Sequence, residues 1–149
     1  LIKIKNNRSG CPVSTALEII GDNWSLIVIR DLFLKRTTFS EFRNSPEKIS
    51  TNILTDRLNK LLSLGLIGYV KNPKNKKIKV YYLKDCGIEL YPILYELSLW
   101  SKKNLDMKFH PLSVEWYEAI KEKDPKEVIS DISLNYRTFR KEILNEMVA

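Results

Sequence analysis

Apolar residues recur at helical spacing from the start of the chain. In "CPVSTALEIIGD", Val13, Ala16, Leu17 and Ile20 share one face, Pro12 fits a first helical position and Gly21 closes the turn. Asp22 can then cap a second helix, "NWSLIVIRDLFLK". Trp24, Leu26, Ile27, Val28, Ile29, Leu32 and Phe33 make this helix apolar nearly all round, so it belongs at the centre of a core. "TFSEF" offers a capping box in which Thr38 and Glu41 satisfy each other's orphan backbone donors. It starts a short helix carrying Phe39 and Phe42, which must stop before Pro46. In "ISTNILTDRLNKLLSLG", Ile53, Leu54, Leu58, Leu61, Leu62 and Leu64 fall on one side at 100° per residue. Asn52, Asn59 and Ser63 lie opposite, flanked by Thr55 and Asp56, with Thr51 near the start and Gly65 as C-terminal cap. The outer face of this helix is rich in short hydrogen-bonding groups rather than long charges.

The period then changes from 3.6 to 2. "LIGYV" and "KVYYL" are short β-prone runs joined by the turn "KNPKNKKIK", which predicts a hairpin. A long helix is expected from about Asp85 through "IELYPILYELSLW", with Pro92 in its first turns or at a kink. Beyond about His110 the tail reads as two more helices broken at Asp124-Pro125. In the second, Val128, Ile132, Tyr136, Phe139, Ile143 and Met147 make one apolar face. That face must pack on something: a wider dimer interface is the main expectation, an effector-pocket wall the alternative. The predicted fold is mainly α with a small β-hairpin. Four helices, the last two joined by a tight connection, are followed at once by a two-stranded basic arm. This order is that of a winged helix-turn-helix domain, here with extra C-terminal helices.

Charge sharpens this picture. The 149 residues carry a net charge of +7. Between Ser50 and Lys84 stand eight basic residues and one acid, Asp56, so this segment holds the whole excess. Such asymmetry points to a localised polyanion-binding face. Lysines at a hairpin tip also keep sheet edges soluble, so the lysines alone decide nothing. A hydrophobic fraction of 44% is ample for a core. No apolar run approaches the roughly 18 residues of a membrane-spanning helix. "LIKIKNNRSG" lacks the apolar stretch of a secretion signal, and the Leu at its head suggests a trimmed start. A cytoplasmic location without membrane contact is expected.

With these elements in order, the sequence resembles the HxlR family of transcriptional regulators, relatives of the MarR group. The matching stretches are "CPV" at Cys11–Val13, "IIGDNWSLIVIRDL" at Ile19–Leu32, "FSEFR" at Phe39–Arg43, "ISTNILTDRLNKLLSLGLI" at Ile49–Ile67 and "YYLKDCGIEL" at Tyr81–Leu90. Lys84 and Cys86 depart from the usual family residues, a Thr and a bulky apolar side chain. The resemblance implies an HxlR-type DNA-binding and dimerisation domain over residues 10–105, with 110–149 as a C-terminal helical extension. It also implies a homodimer formed by the first and last core helices, and double-stranded DNA with a pseudo-palindromic operator as partner. In the expected mode, the helix from Ser50 to Leu64 enters a major groove. Thr51, Asn52, Thr55, Asp56 and Asn59 face base edges, where Asn pairs with adenine and Thr suits thymine. Lys74, Lys76 and Lys77 lie on phosphates or in the flanking minor groove. Thr38, Ser40, Arg43 and Ser50 complete the expected contacts, although a surface ion pair is an equal reading for Arg43. Arg57 falls in the apolar arc and is expected to brace an internal carboxylate or snorkel at the edge.

Cys11 and Cys86 lie 75 positions apart, with no metal-ligand spacing. Cys11 precedes Pro12 at a helix N-terminus, where the dipole favours a thiolate. Some HxlR members sense oxidants or electrophiles with a cysteine at the corresponding place. The alternative is a small residue packed in the dimer interface. A Cys11–Cys86 bridge is thinkable, but Cys86 is expected to be structural. His110 is assigned no role. There is no Gly-rich phosphate loop, no HExxH and no nucleophile–base set, so neither an enzyme, a metal nor a cofactor is expected. The competing class is a winged-helix module for protein or RNA contacts, without duplex specificity.

Overall fold

A computed structural model describes residues 1–4 and 7–148. Lys5 and Asn6, within the N-terminal stretch, and Ala149, at the end of the extension, lie outside the described residues. The elements run α1 (Pro12–Ile20), α2 (Ser25–Phe33), α3 (Phe39–Arg43), α4 (Thr51–Ser63), β1 (Ile67–Lys71), β2 (Lys79–Leu83), α5 (Asp85–Ile88), α6 (Tyr91–Asn104), α7 (Pro111–Ile120) and α8 (Pro125–Val148). The fold is therefore mainly helical with one antiparallel hairpin.

Local chemistry sets most of the boundaries. Thr38 and Glu41 form the full capping box of α3. Ser50 caps α4 by accepting the Ile53 amide. At the other end of α4, Gly65 adopts φ +71°, and the amides of Gly65 and Leu66 bond back to the carbonyls of Leu62 and Leu61. This paired return is a Schellman motif, which the glycine permits because it lacks a Cβ. The expected long helix after the hairpin is interrupted. A short α5 ends before Glu89, and α6 begins afresh with Pro92 in its first turn. Proline has no amide hydrogen to offer the Ile88 carbonyl four residues back, and its ring would crowd that carbonyl, so one helix stops and another starts with Pro92 in its first turn.

The core gathers around α2. Val28, Ile29 and Leu32 pack with Phe42 of α3, Leu54, Leu58 and Leu61 of α4, Ile67, Tyr81 and Leu83 of the hairpin, and Ile88. The apolar face of α8 completes it. Tyr136 is buried in this same cluster, its ring tilted against Phe33 and edge-on to Phe139. A second cluster joins Tyr91 and Tyr95 of α6 with Ile120 and Val128. The face expected to widen a dimer interface is thus seated within its own chain. The opposite holds for α1: only Ile20 is buried, while Val13 and Leu17 are exposed.

Candidate nucleic-acid interface

The polar face of α4 stands clear of the core because the leucines opposite it are anchored. Leu54, Leu58 and Leu61 are buried, and Thr51, Asn52, Thr55, Asp56 and Asn59 are all exposed along one side. Thr55 turns its hydroxyl back to the Thr51 carbonyl (2.9 Å), so that hydroxyl is engaged within the helix. Three of the other expected residues have structural duties. Ser50 is the cap of α4, and Thr38 donates its hydroxyl to Glu41 Oε2 at 2.9 Å. Asp56 approaches Arg57 at 3.4 Å. Ser40 and Arg43 are exposed on α3. Among the described residues no carboxylate lies within ion-pair reach of Arg43, so the ion-pair reading finds no partner.

The hairpin projects directly after α4. Its register pairs Ile67 with Leu83 and Lys71 with Lys79. Asn72 Oδ1 accepts the amides of Lys74 and Asn75, and Asn75 Oδ1 accepts that of Lys77. These Asx turns fold the tip by side-chain hydrogen bonds, with Pro73 fixing the backbone between them. Lys74, Lys76 and Lys77 are exposed there, with no carboxylate partner among the described residues. Lys79 rests over the Tyr69 ring at 4.4 Å. Along the outer edge of β2, the Tyr81 amide donates to Thr37 O (2.7 Å), and Thr38 bridges Val80. The loop before α3 thus backs the outer edge of β2 at Val80 and Tyr81 through an isolated bridge.

Not all of the segment's charge is offered outward. Asp22, between α1 and α2, accepts the amides of Trp24 and Ser25 (both 2.9 Å), the Ser25 hydroxyl (2.5 Å) and Lys60 Nζ (3.0 Å). Arg57 Nε lies 3.4 Å from the same carboxylate, buried and without a hydrogen-bond partner, so this contact is electrostatic. Burial pushes the Asp22 carboxyl up, but the bonds from Ser25, Trp24 and Lys60 outweigh it and hold the group well below the usual carboxylate range. Arg57 thus braces an internal carboxylate, as its place in the apolar arc foretold. The sequence did not single out Asp22 as the partner or as an anchor for α4. A cap aspartate and a basic residue inside an apolar arc were the available signals.

A second network fixes α2 to the α3–α4 turn. Asp31 is buried and accepts from Arg30 (2.7 Å) and Arg36 (2.9 Å), while Arg30 also grips Glu47 at 2.6 Å. The Arg30 hydrogen bonds hold the Glu47 carboxyl down, at about 2. Nothing in the apolar periodicity marks this cluster.

Cys11 is the exposed N-cap residue of α1, and Cys86 is half-buried; both thiols are free. Cys86 donates to Gly65 O at 3.2 Å and lines a small apolar cleft with Ile2, Ala16, Ile19, Ile20, Leu66 and Leu90. His110 caps α7, its Nδ1 accepting the Leu112 amide. Among the described residues, no helix is long and apolar enough to cross a membrane, and no acidic, His or Cys cluster is arranged to hold a metal ion.

Known proteins share this arrangement. The HTH-type transcriptional regulator YdeP of Bacillus subtilis (strain 168), itself uncharacterised, is 36% identical over 98 residues, covering 65% of this chain and 76% of its own. The crystal structure of PA1607 superimposes with a TM-score of 0.62 at 32% identity, over 69% of this chain and 72% of that one. The redox regulator HypR, in its oxidised form, matches with a TM-score of 0.57 at 30% identity, over 65% of this chain and all of that one. The family model described as HxlR-like helix-turn-helix matches residues 19–109, and the chain accordingly belongs to the HxlR family of winged helix-turn-helix transcriptional regulators.

Proposed function

We propose that the protein is a sequence-specific, duplex-DNA-binding regulator acting as a homodimer. The observation that carries this reading is the pairing of two surfaces that follow one another in the chain. One is the exposed polar face of α4, the other a hairpin tip turned by asparagine hydrogen bonds, with three lysines that meet no carboxylate among the described residues. Thr51, Asn52, Thr55, Asp56 and Asn59 read base edges, while Lys74, Lys76, Lys77 and Arg43 hold phosphates. Thr38, Ser40 and Ser50 act at the backbone, where α3 and the start of α4 approach it.

Dimerisation is supported by apolar surface that the chain leaves uncovered. Val13 and Leu17 on α1, and Ile93, Leu97 and Trp100 on α6, form stripes at helical spacing, with Trp100 58% exposed. Trp is enriched at the centres of protein interfaces. In this reading residues 10–105 bind DNA and dimerise, and 110–149 form an extension folded back on them. Cys11 is a thiol through which oxidants or electrophiles act on the regulator. Its exposure at the positive end of α1 supports this role, as does the likeness to the redox regulator HypR.

DNase footprinting on the protein's own upstream region tests the main reading. A protected pseudo-palindrome with half-site centres about one helical turn apart, or a multiple of it, is expected. Binding to RNA or protein without any duplex footprint would favour the alternative module. For Cys11, iodoacetamide titration at neutral pH separates the roles: alkylation no faster than that of free cysteine removes the sensor.

A further inference from the structure

We infer that α8 is a brace that fixes the wing relative to the recognition helix α4, with Tyr136 and Arg140 as its positioning residues. The hairpin enters and leaves at one point, beside the C-terminal end of α4. There the Leu66 carbonyl accepts the Lys84 amide at 3.0 Å, and Gly87 packs so closely that a Cβ would stand 2.3 Å from Leu66 O. The outer edge of β2 needs partners at this base, because a two-stranded hairpin is barely stable alone and buried amides must be satisfied. Higher up the edge, the loop before α3 supplies them at Val80 and Tyr81. At Leu83, whose side chain is fully buried, α8 takes over. The Tyr136 hydroxyl accepts the Leu83 amide (3.0 Å), and Arg140 donates to the Leu83 carbonyl (3.1 Å).

Arg140 also reaches Asp85 Oδ1 at 2.8 Å, and Arg137 stands 3.8 Å from the same oxygen, so α8 grips the residues on both sides of Lys84. The Tyr136 ring is itself locked between Phe33 and Phe139, at 5.1 and 5.8 Å between centroids. Both backbone groups of the last β2 residue are thus held by one helix, where the lever arm to the lysine tip begins. Burial pushes the Tyr136 phenol up to about 12, so the hydroxyl stays neutral through the physiological range. The inference rests on the DNA-binding reading only for what the braced wing does, not for the brace itself.

Hydrogen exchange on the full chain tests it, with three variants. Tyr136→Phe removes the acceptor of the Leu83 amide. Asp85→Asn weakens the Arg140 grip at an exposed side chain and leaves the core intact. Leu134→Ala, exposed on the same helix, is the control. Tyr136→Phe should speed exchange of the Leu83 amide about tenfold relative to the Leu58 amide of α4, with a smaller increase in Asp85→Asn and none in Leu134→Ala. Unchanged Leu83 exchange in Tyr136→Phe, or equal acceleration of wing and α4 in both test variants, overturns the brace. On duplex DNA, Tyr136→Phe should weaken binding several-fold with the salt slope unchanged, because the lysines remain. Failure of the wild type to bind any duplex would remove the DNA-binding reading, and exchange would still judge the brace.

Discussion

Replacing Lys74, Lys76 and Lys77 together by alanine gives the most quantitative test of the wing. The three side chains are exposed, and among the described residues none is engaged by a carboxylate. Their removal therefore breaks no ion pair, and the tip turns persist because asparagine side chains form them. A dimer would present six such lysines. Each phosphate contact contributes about 0.9 to the slope of log affinity against log salt, so the triple variant should lose roughly 5 from that slope. Over the fourfold rise from about 50 to 200 mM salt, this difference corresponds to a factor of ~10³. Fluorescence anisotropy on a labelled operator duplex across that range measures it, with a thermal melt to show that the variant is folded. A slope within about 1 of wild type would mean that the wing does not touch phosphate, and the mechanism proposed for it would be wrong.

Asp22→Asn should destabilise the chain by about 2 kcal/mol at pH 7, since a capping carboxylate that also anchors Lys60 and Arg57 loses its charge. Because folding depresses the Asp22 carboxyl, its contribution is complete above the unfolded value near 3.8 and fades as pH falls below it. The urea-measured gap between variant and wild type should therefore narrow from pH 7 to 3; a constant gap would show that the charge is irrelevant. Gly87→Ala should cost roughly 1–3 kcal/mol in a thermal melt, because the new methyl meets the Leu66 carbonyl at 2.3 Å and the backbone cannot easily yield. Leu97→Asp combined with Trp100→Ser should give a folded monomer by light scattering; an unchanged oligomeric state would place the interface elsewhere.

Periodicity alone determined the hairpin, the face of α4 that points inward, the apolar stripe of α8 and the helices, except that it ran α5 and α6 together as one. Each follows from side-chain burial on a regular element, and Gly65, Thr38 and Ser50 marked the ends because their chemistry acts within a turn. Charge counting located the lysine tip for the same local reason. Only the tertiary structure decided what lay far apart in sequence. It showed that Asp22 receives Lys60 and Arg57, that Asp31 sits between Arg30 and Arg36, and that Tyr136 and Arg140 satisfy the Leu83 backbone more than fifty residues away. It also separated two stripes that look alike in sequence. That of α8 closes over its own core, and that of α1 stays open. Hydropathy says that an apolar face needs a partner; the path of the chain in space settles whether that partner is its own core.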